Sequence, residues 1–127
     1  MRVRLEDGLP YVGLTLSHYN RKVELEKVLL DTGSASSVFS ADKVLEIGLK
    51  LERDDIVHRI RGVGGSEFVF TKQVESLTLG ELRVETFEIE VGSMDYGFML
   101  EGIIGFDFLI RVGAMIDLKK MEIYSSS

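Results

Sequence analysis

The chain has no cysteine, one proline, two histidines and no block of basic residues. Each scarcity closes a class of explanation. Without cysteine there are no disulfides and no thiolate metal sites. His18 and His58 stand far apart, one at a turn and one in a strand, with no His-x-x-x-His spacing. Neither a metal nor a cofactor is therefore expected. The formal net charge is −6, and the basic doublets Arg21–Lys22 and Lys119–Lys120 read as hairpin tips. Nucleic acid needs clustered Lys and Arg, so it is not an expected partner. No apolar run approaches a membrane span, and no membrane partner is expected. The opening "MRVRLEDGLPYVG" alternates charged and apolar residues and does not read as a secretory signal. The cytoplasm is the expected location.

What remains is an ordinary globular composition, 45% apolar in 127 residues. No linker composition interrupts it. One domain is expected over residues 1–127, with a loose serine tail at about 125–127. Period-two alternation dominates. "YVGLTLS" puts Val12, Leu14 and Leu16 on one face of a strand. "HYNRK" is a turn, and "VELEKVLL" returns as a strand that becomes apolar on both faces at Val28. Ser40 suits a helix N-cap, and Gly48 a stop. "IVHRIRGVGGSEFVFTKQV" reads as two strands around a glycine-rich tip at 62–65. A further hairpin turns at Gly80–Glu81, and its second strand changes apolar phase near Glu85–Thr86, where a bulge or bend is expected. A short helix is expected from Phe106 to Val112, closed by Gly113. "AMIDL" and "MEIY" form a last hairpin. Many short strands and one or two short helices predict an all-β, closed barrel-like fold.

One stretch resists a purely structural reading. In "VLLDTGSASSVF" a buried strand runs into a carboxylate, Asp31. Asp is depleted in strands and is almost never buried without a partner. A carboxylate at the edge of a core, opening onto a cleft, can activate water. Thr32 can orient it, Gly33 lets a substrate backbone approach, and Ser34 can hydrogen-bond the carboxylate. On the tripeptide alone the plainer reading is preferred, a turn Asp satisfied by backbone N–H groups.

Its context resembles the retropepsin-like aspartic proteases, the single-domain relatives of pepsin. "VLLDTGSASSVF" is similar to that family's catalytic loop. Some 70 residues later Ile103, Ile104 and Gly105, before "FDFL", resemble its second signature. Between the two, "RIRGVGGSEFVF" stands where the family has a flap hairpin. The resemblance covers roughly residues 10 to 124. It implies that Ile103, Ile104 and Gly105 pack against the catalytic loop in a psi-shaped crossing. It implies a flap at Gly62, Val63, Gly64, Gly65 and Ser66. It also implies an aspartic endopeptidase with Asp31, Thr32 and Gly33 as catalytic residues, supported by Ser34.

The family's chemistry needs two aspartates sharing one proton, since two close carboxylates cannot both be charged cheaply. This sequence has a single Asp-Thr-Gly. Asp117 lacks the Thr/Ser-Gly that would follow, and Asp107 reads as a first-turn helix residue. The resemblance therefore implies a homodimer acting on a peptide or protein substrate, with Thr32 bonding across the two-fold axis. Two departures limit what carries over. Ala35 and Ser36 stand where many retroviral enzymes have acidic residues. The flap tyrosine of pepsin has no match in "GVGGSEF". A second class stays open: the same fold as a dimerisation or peptide-binding module without useful turnover.

Other segments have plainer readings. "GVGGS" lacks the Lys-Ser/Thr and the helix of a phosphate loop. The Met94–Met99 loop, with Tyr96 and Phe98, either lines a subsite or tucks onto the core, the latter being preferred.

Overall fold

The alternation seen in the sequence is realised as a closed barrel. A computed structural model describes residues 1–62, 65–95 and 99–126. Its strands are β1 (Arg4–Glu6), β2 (Leu9–His18), β3 (Arg21–Leu30), β4 (Val38–Ser40), β5 (Val57–Gly62), β6 (Gly65–Leu79), β7 (Leu82–Gly92), β8 (Gly102–Ile104), β9 (Ala114–Asp117) and β10 (Glu122–Ser125). Helices α1 (Ala41–Leu45) and α2 (Phe106–Val112) are short. Six strands close on themselves in the order β2, β3, β8, β4, β7, β6 and back to β2. Closure leaves those six without an open edge. β1 and β5 are added outside, and β9–β10 form a separate pair.

Local chemistry sets the turns. Tyr19 and Asn20 both take positive φ between β2 and β3, as a two-residue hairpin turn requires. Gly113, at φ 61°, ends α2 in the left-handed conformation that favours glycine. Ser40 does precede α1, but its side chain makes no cap hydrogen bond.

The long β6–β7 hairpin turns at Gly80–Glu81. Leu77, Leu79, Leu82 and Val84 face the core on one side of the phase change, and Val74, Phe87 and Ile89 on the other. Both strands switch together. The register is the same on either side, with Ser76 opposite Glu85 and Val74 opposite Phe87. No residue is inserted, so the feature is a bend and not a bulge, with Thr86 at φ 55°. Beyond the bend, Ser76–Thr78 pair with Thr15–Ser17 of β2 and close the barrel.

Burial divides the apolar residues into two clusters. The larger fills the barrel and includes Val12, Leu14, Leu16, Val28, Leu30, Phe39, Ile104 and Phe108. Each such side chain contributes roughly 1.5–3 kcal/mol on burial. The smaller lies on the other face of β3 and β8. It holds Tyr11, Val38, Val69, Met94 and Leu100, with Leu29, Ile60 and Ile103 packed on it. Ile60 and Val69 come from the β5–β6 hairpin, so this cluster lies between hairpin and barrel. Met94 tucks into it, while Met99 is exposed. Tyr96 and Phe98 lie outside the described residues.

The serine tail is not loose as far as Ser126. Ser125 pairs with Ala114, its N–H reaches Glu81 Oε1 at 2.8 Å, and the Ser126 N–H donates to Gly113 O at 3.2 Å. Backbone pairing of β10 holds residues that composition alone marked as free. No helix among the described residues is long and apolar enough to cross a membrane.

Candidate active site

β8 lies between β3, to which it is parallel, and β4, to which it is antiparallel. The chain from β3 to β4 must therefore cross the end of β8, and that crossing carries residues 31–37. Leu29 pairs with Ile103 and Leu30 with Ile104, and the Asp31 N–H donates to Ile104 O at 2.9 Å. Ile103, Ile104 and Gly105 thus meet the Asp31 segment directly.

Glycine at 105 is a steric necessity. A Cβ there would stand 2.5 Å from Ser36 O and 2.7 Å from Ser34 O, both rigid backbone atoms. The close approach lets the Phe106 N–H donate to Ser34 O at 2.7 Å, which satisfies a free N–H at the start of α2.

The crossing is locked by Ser37, a residue the sequence reading did not single out. Its side chain is fully buried. Its Oγ donates to Asp107 Oδ1 at 2.8 Å and accepts the Gly105 N–H at 3.0 Å. Its own N–H donates to Asp107 Oδ2 at 3.1 Å. Asp107 also accepts the Phe108 N–H at 2.8 Å, in keeping with its first-turn position. Glu101 performs a similar service just before β8. It accepts the Glu26 and Lys27 N–H groups at 2.8 and 2.9 Å and pairs with Lys43 at 3.2 Å. Burial pushes its carboxyl up, but those donors outweigh burial and hold it below the usual carboxylate range.

Asp31 itself is half-buried at the tip of the loop, beside exposed Thr32 and Gly33. Its Oδ1 accepts the Gly33 N–H at 2.9 Å. Ser34 does not reach the carboxylate. Its hydroxyl donates to Ser36 O at 2.7 Å, and only its backbone N–H bonds to Asp31, at the carbonyl, at 3.2 Å. The short loop turns the Ser34 side chain back into the crossing, so a backbone amide takes the place expected for a hydroxyl. Among the described residues Thr32 makes no hydrogen bond within the chain. It lines a mainly apolar cleft of about 320 Å³ with Leu30, Ile116, Asp117, Leu118 and Met121.

The candidate flap is a real hairpin. β5 and β6 pair from Val57–Phe70 to Gly62–Gly65, with Arg61 opposite Ser66. Val63 and Gly64 lie outside the described residues. A larger concavity, about 810 Å³, lies at the other end of β3, lined by residues such as Thr15, Arg21, Glu75 and Arg83. It is open, of mixed charge, and shares no residue with the Asp31 loop, so chemistry locates the site better than size. Among the described residues no group of His, Asp and Glu could hold a metal ion.

Comparison with known proteins agrees with this geometry. The family model described as aspartyl protease matches residues 19–108, which include the Asp31 loop and the 103–105 segment. Comparison with curated proteins gives no match. Among solved structures, a retropepsin-like aspartic protease from Rickettsia conorii is similar at a TM-score of 0.67. Its identity to this chain is 20%, over 95% of this chain and 93% of that one. The barrel, the crossing beneath Asp31 and the matched family model together identify the chain as a member of the aspartyl protease family with the retropepsin-like fold.

Proposed function

We propose that the protein is an aspartic endopeptidase that works as a homodimer, each copy supplying Asp31 to one shared site. The observation that carries this reading is the presentation of Asp31. A rigid crossing holds it at a loop tip, and among the described residues only the Gly33 N–H reaches its carboxylate. One such aspartate per chain gives half of the required pair, and a two-fold axis supplies the other half.

In the shared site one carboxylate is ionised and the other protonated. The ionised group takes a proton from water as the water oxygen attacks the peptide carbonyl carbon. The protonated group donates its proton to the carbonyl oxygen. Collapse of the tetrahedral intermediate breaks the C–N bond, with the proton from water passing to the leaving nitrogen while a hydroxyl of the intermediate returns its proton to the other carboxylate. Thr32, exposed and without a hydrogen-bond partner among the described residues of its own chain, is the residue to bond across the axis. The β5–β6 hairpin acts as the flap, excluding water and pairing with an extended peptide.

Cleavage of a peptide library, with Asp31→Asn alongside, tests the reading. Asn keeps the shape of Asp31 but cannot exchange the proton. Cleavage by the wild type, reduced by about 10²–10⁴-fold or more in the variant, is expected. Equal cleavage by both would assign the chemistry to another group. Peptide binding without cleavage by either would favour the peptide-binding module.

A further inference from the structure

Among the polar side-chain contacts of the β5–β6 hairpin, one reaches across to β7 beside the crossing. His58, on β5, places Nε2 3.4 Å from Glu90 Oε2 on β7. The contact passes over β6, where the Thr71 hydroxyl donates to the same Glu90 oxygen at 3.1 Å. The Glu90 side chain is only 12% exposed, that of His58 40%. A carboxylate taken that far out of water needs partners. The groups around it are few. β6 contributes Thr71, β5 contributes His58, and α2 sets Asp107 at longer range. β7 itself adds Glu88. β4, paired alongside, brings Val38 and Phe39. Lys72, on β6, is already committed to Glu52 and Asp55. Among the described residues, His58 is the one cationic candidate for Glu90.

Glu90 also touches the crossing. Its N–H donates to Ser37 O at 3.0 Å. Ser37 in turn holds Gly105 and Asp107. A continuous hydrogen-bonded path thus runs from the hairpin, through Glu90, to the loop that presents Asp31.

We propose that His58 and Glu90 are positioning residues, a clamp that fixes the β5–β6 hairpin relative to the Asp31 crossing and tightens when His58 is protonated. The proposal rests on the reading of that hairpin as the flap of a protease. The sign follows from the charges. With His58 neutral the contact is only a weak polar one. Protonation makes it an ion pair in a partly dry site, where attraction is stronger than at the surface. Burial pushes the Glu90 carboxyl above its usual range, so weaker acid than an ordinary carboxyl needs neutralises Glu90 and loosens the clamp again. The hairpin is held most firmly where a charged imidazole and an ionised carboxylate coexist.

Amide hydrogen exchange in residues 57–62, corrected for intrinsic rates, tests this without requiring activity. In the wild type, protection should be about fivefold greater at pH 5.5 than at pH 8, the scale of one partly exposed ion pair. His58→Phe keeps a ring but no charge, and should show the low protection at both pH values. His58→Lys carries charge throughout, and should show the high protection at both. KM for a cleaved peptide should follow the same pattern, with kcat less affected. Protection in the wild type that is independent of pH, or His58→Phe matching the wild type at pH 5.5, would overturn the clamp. Absence of cleavage by every variant would count against the protease reading, while exchange would still decide the clamp.

Discussion

The crossing beneath Asp31 and the β5–β6 hairpin are built in opposite ways. In the crossing, two segments some 70 residues apart meet, and buried polar atoms are paired within a few ångströms. Ser37, Gly105 and Asp107 exchange hydrogen bonds with no water needed. The hairpin is joined to the barrel along β6 and covered by one small apolar cluster. Its outer face carries exposed apolar residues such as Val57 and Phe68. The first arrangement has few alternatives at low energy, which suits a group that must be presented in one geometry. The second can shift as a unit, which suits a cover over a cleft. The contrast predicts that equal chemical damage costs more stability in the crossing than in the hairpin.

The largest effect is expected from Gly105→Ala. The added carbon meets two backbone carbonyls, so relief requires moving the Ser34–Ser36 loop. Destabilisation of about 3 kcal/mol or more is expected by denaturant unfolding. A loss below about 0.5 kcal/mol would mean that the crossing is looser than described. Ser37→Ala comes next. It removes the acceptor of the Gly105 N–H and one donor to Asp107, at a cost of about 1–3 kcal/mol. Ser34→Ala, whose hydroxyl only joins Ser36 O, should cost less.

A pair of carboxylates sharpens the comparison at smaller scale. Glu101, on the crossing side, has a lowered pKa through donated hydrogen bonds and Lys43. A lowered carboxylate adds stability at neutral pH that is lost as pH falls through its folded value. Glu101→Gln should therefore lower Tm at pH 7 and matter little near pH 3. Glu90, on the hairpin side, is shifted the other way, first by burial. Apart from conditions in which a charged His58 pairs with it, its contribution is greatest in acid and declines as pH rises. Glu90→Gln should cost nothing near pH 4 and raise Tm modestly at pH 8. Tm measured across pH for both variants checks the pair. Curves of the same sign would show that the two sites do not differ as described.

Much of the crossing was legible in the sequence because its two halves announce themselves locally. Asp31 is a carboxylate at the end of an apolar run, and Gly105 follows two apolar residues before a helix. Their meeting was expected through family resemblance and not through periodicity, which says nothing about pairing at 70 residues' distance. Ser37 was missed because it ends the run "SASS", where nothing marks one hydroxyl for burial. Ser34 was given the role that the Gly33 amide fills, since composition does not say which way a side chain turns. The clamp was invisible for a similar reason. His58 and Glu90 sit on strands separated by a third, and only the three-stranded register brings them to one face.

The central claim is that one active site needs Asp31 from two chains, and mixing tests it most directly. A fixed amount of wild type is equilibrated with increasing Asp31→Asn, and cleavage is followed. If dimers form and exchange freely, a threefold excess of variant should leave about a quarter of the starting activity, because most wild-type chains then face an Asn. Activity unchanged at every excess, under conditions where subunits are shown to exchange, would contradict the shared site.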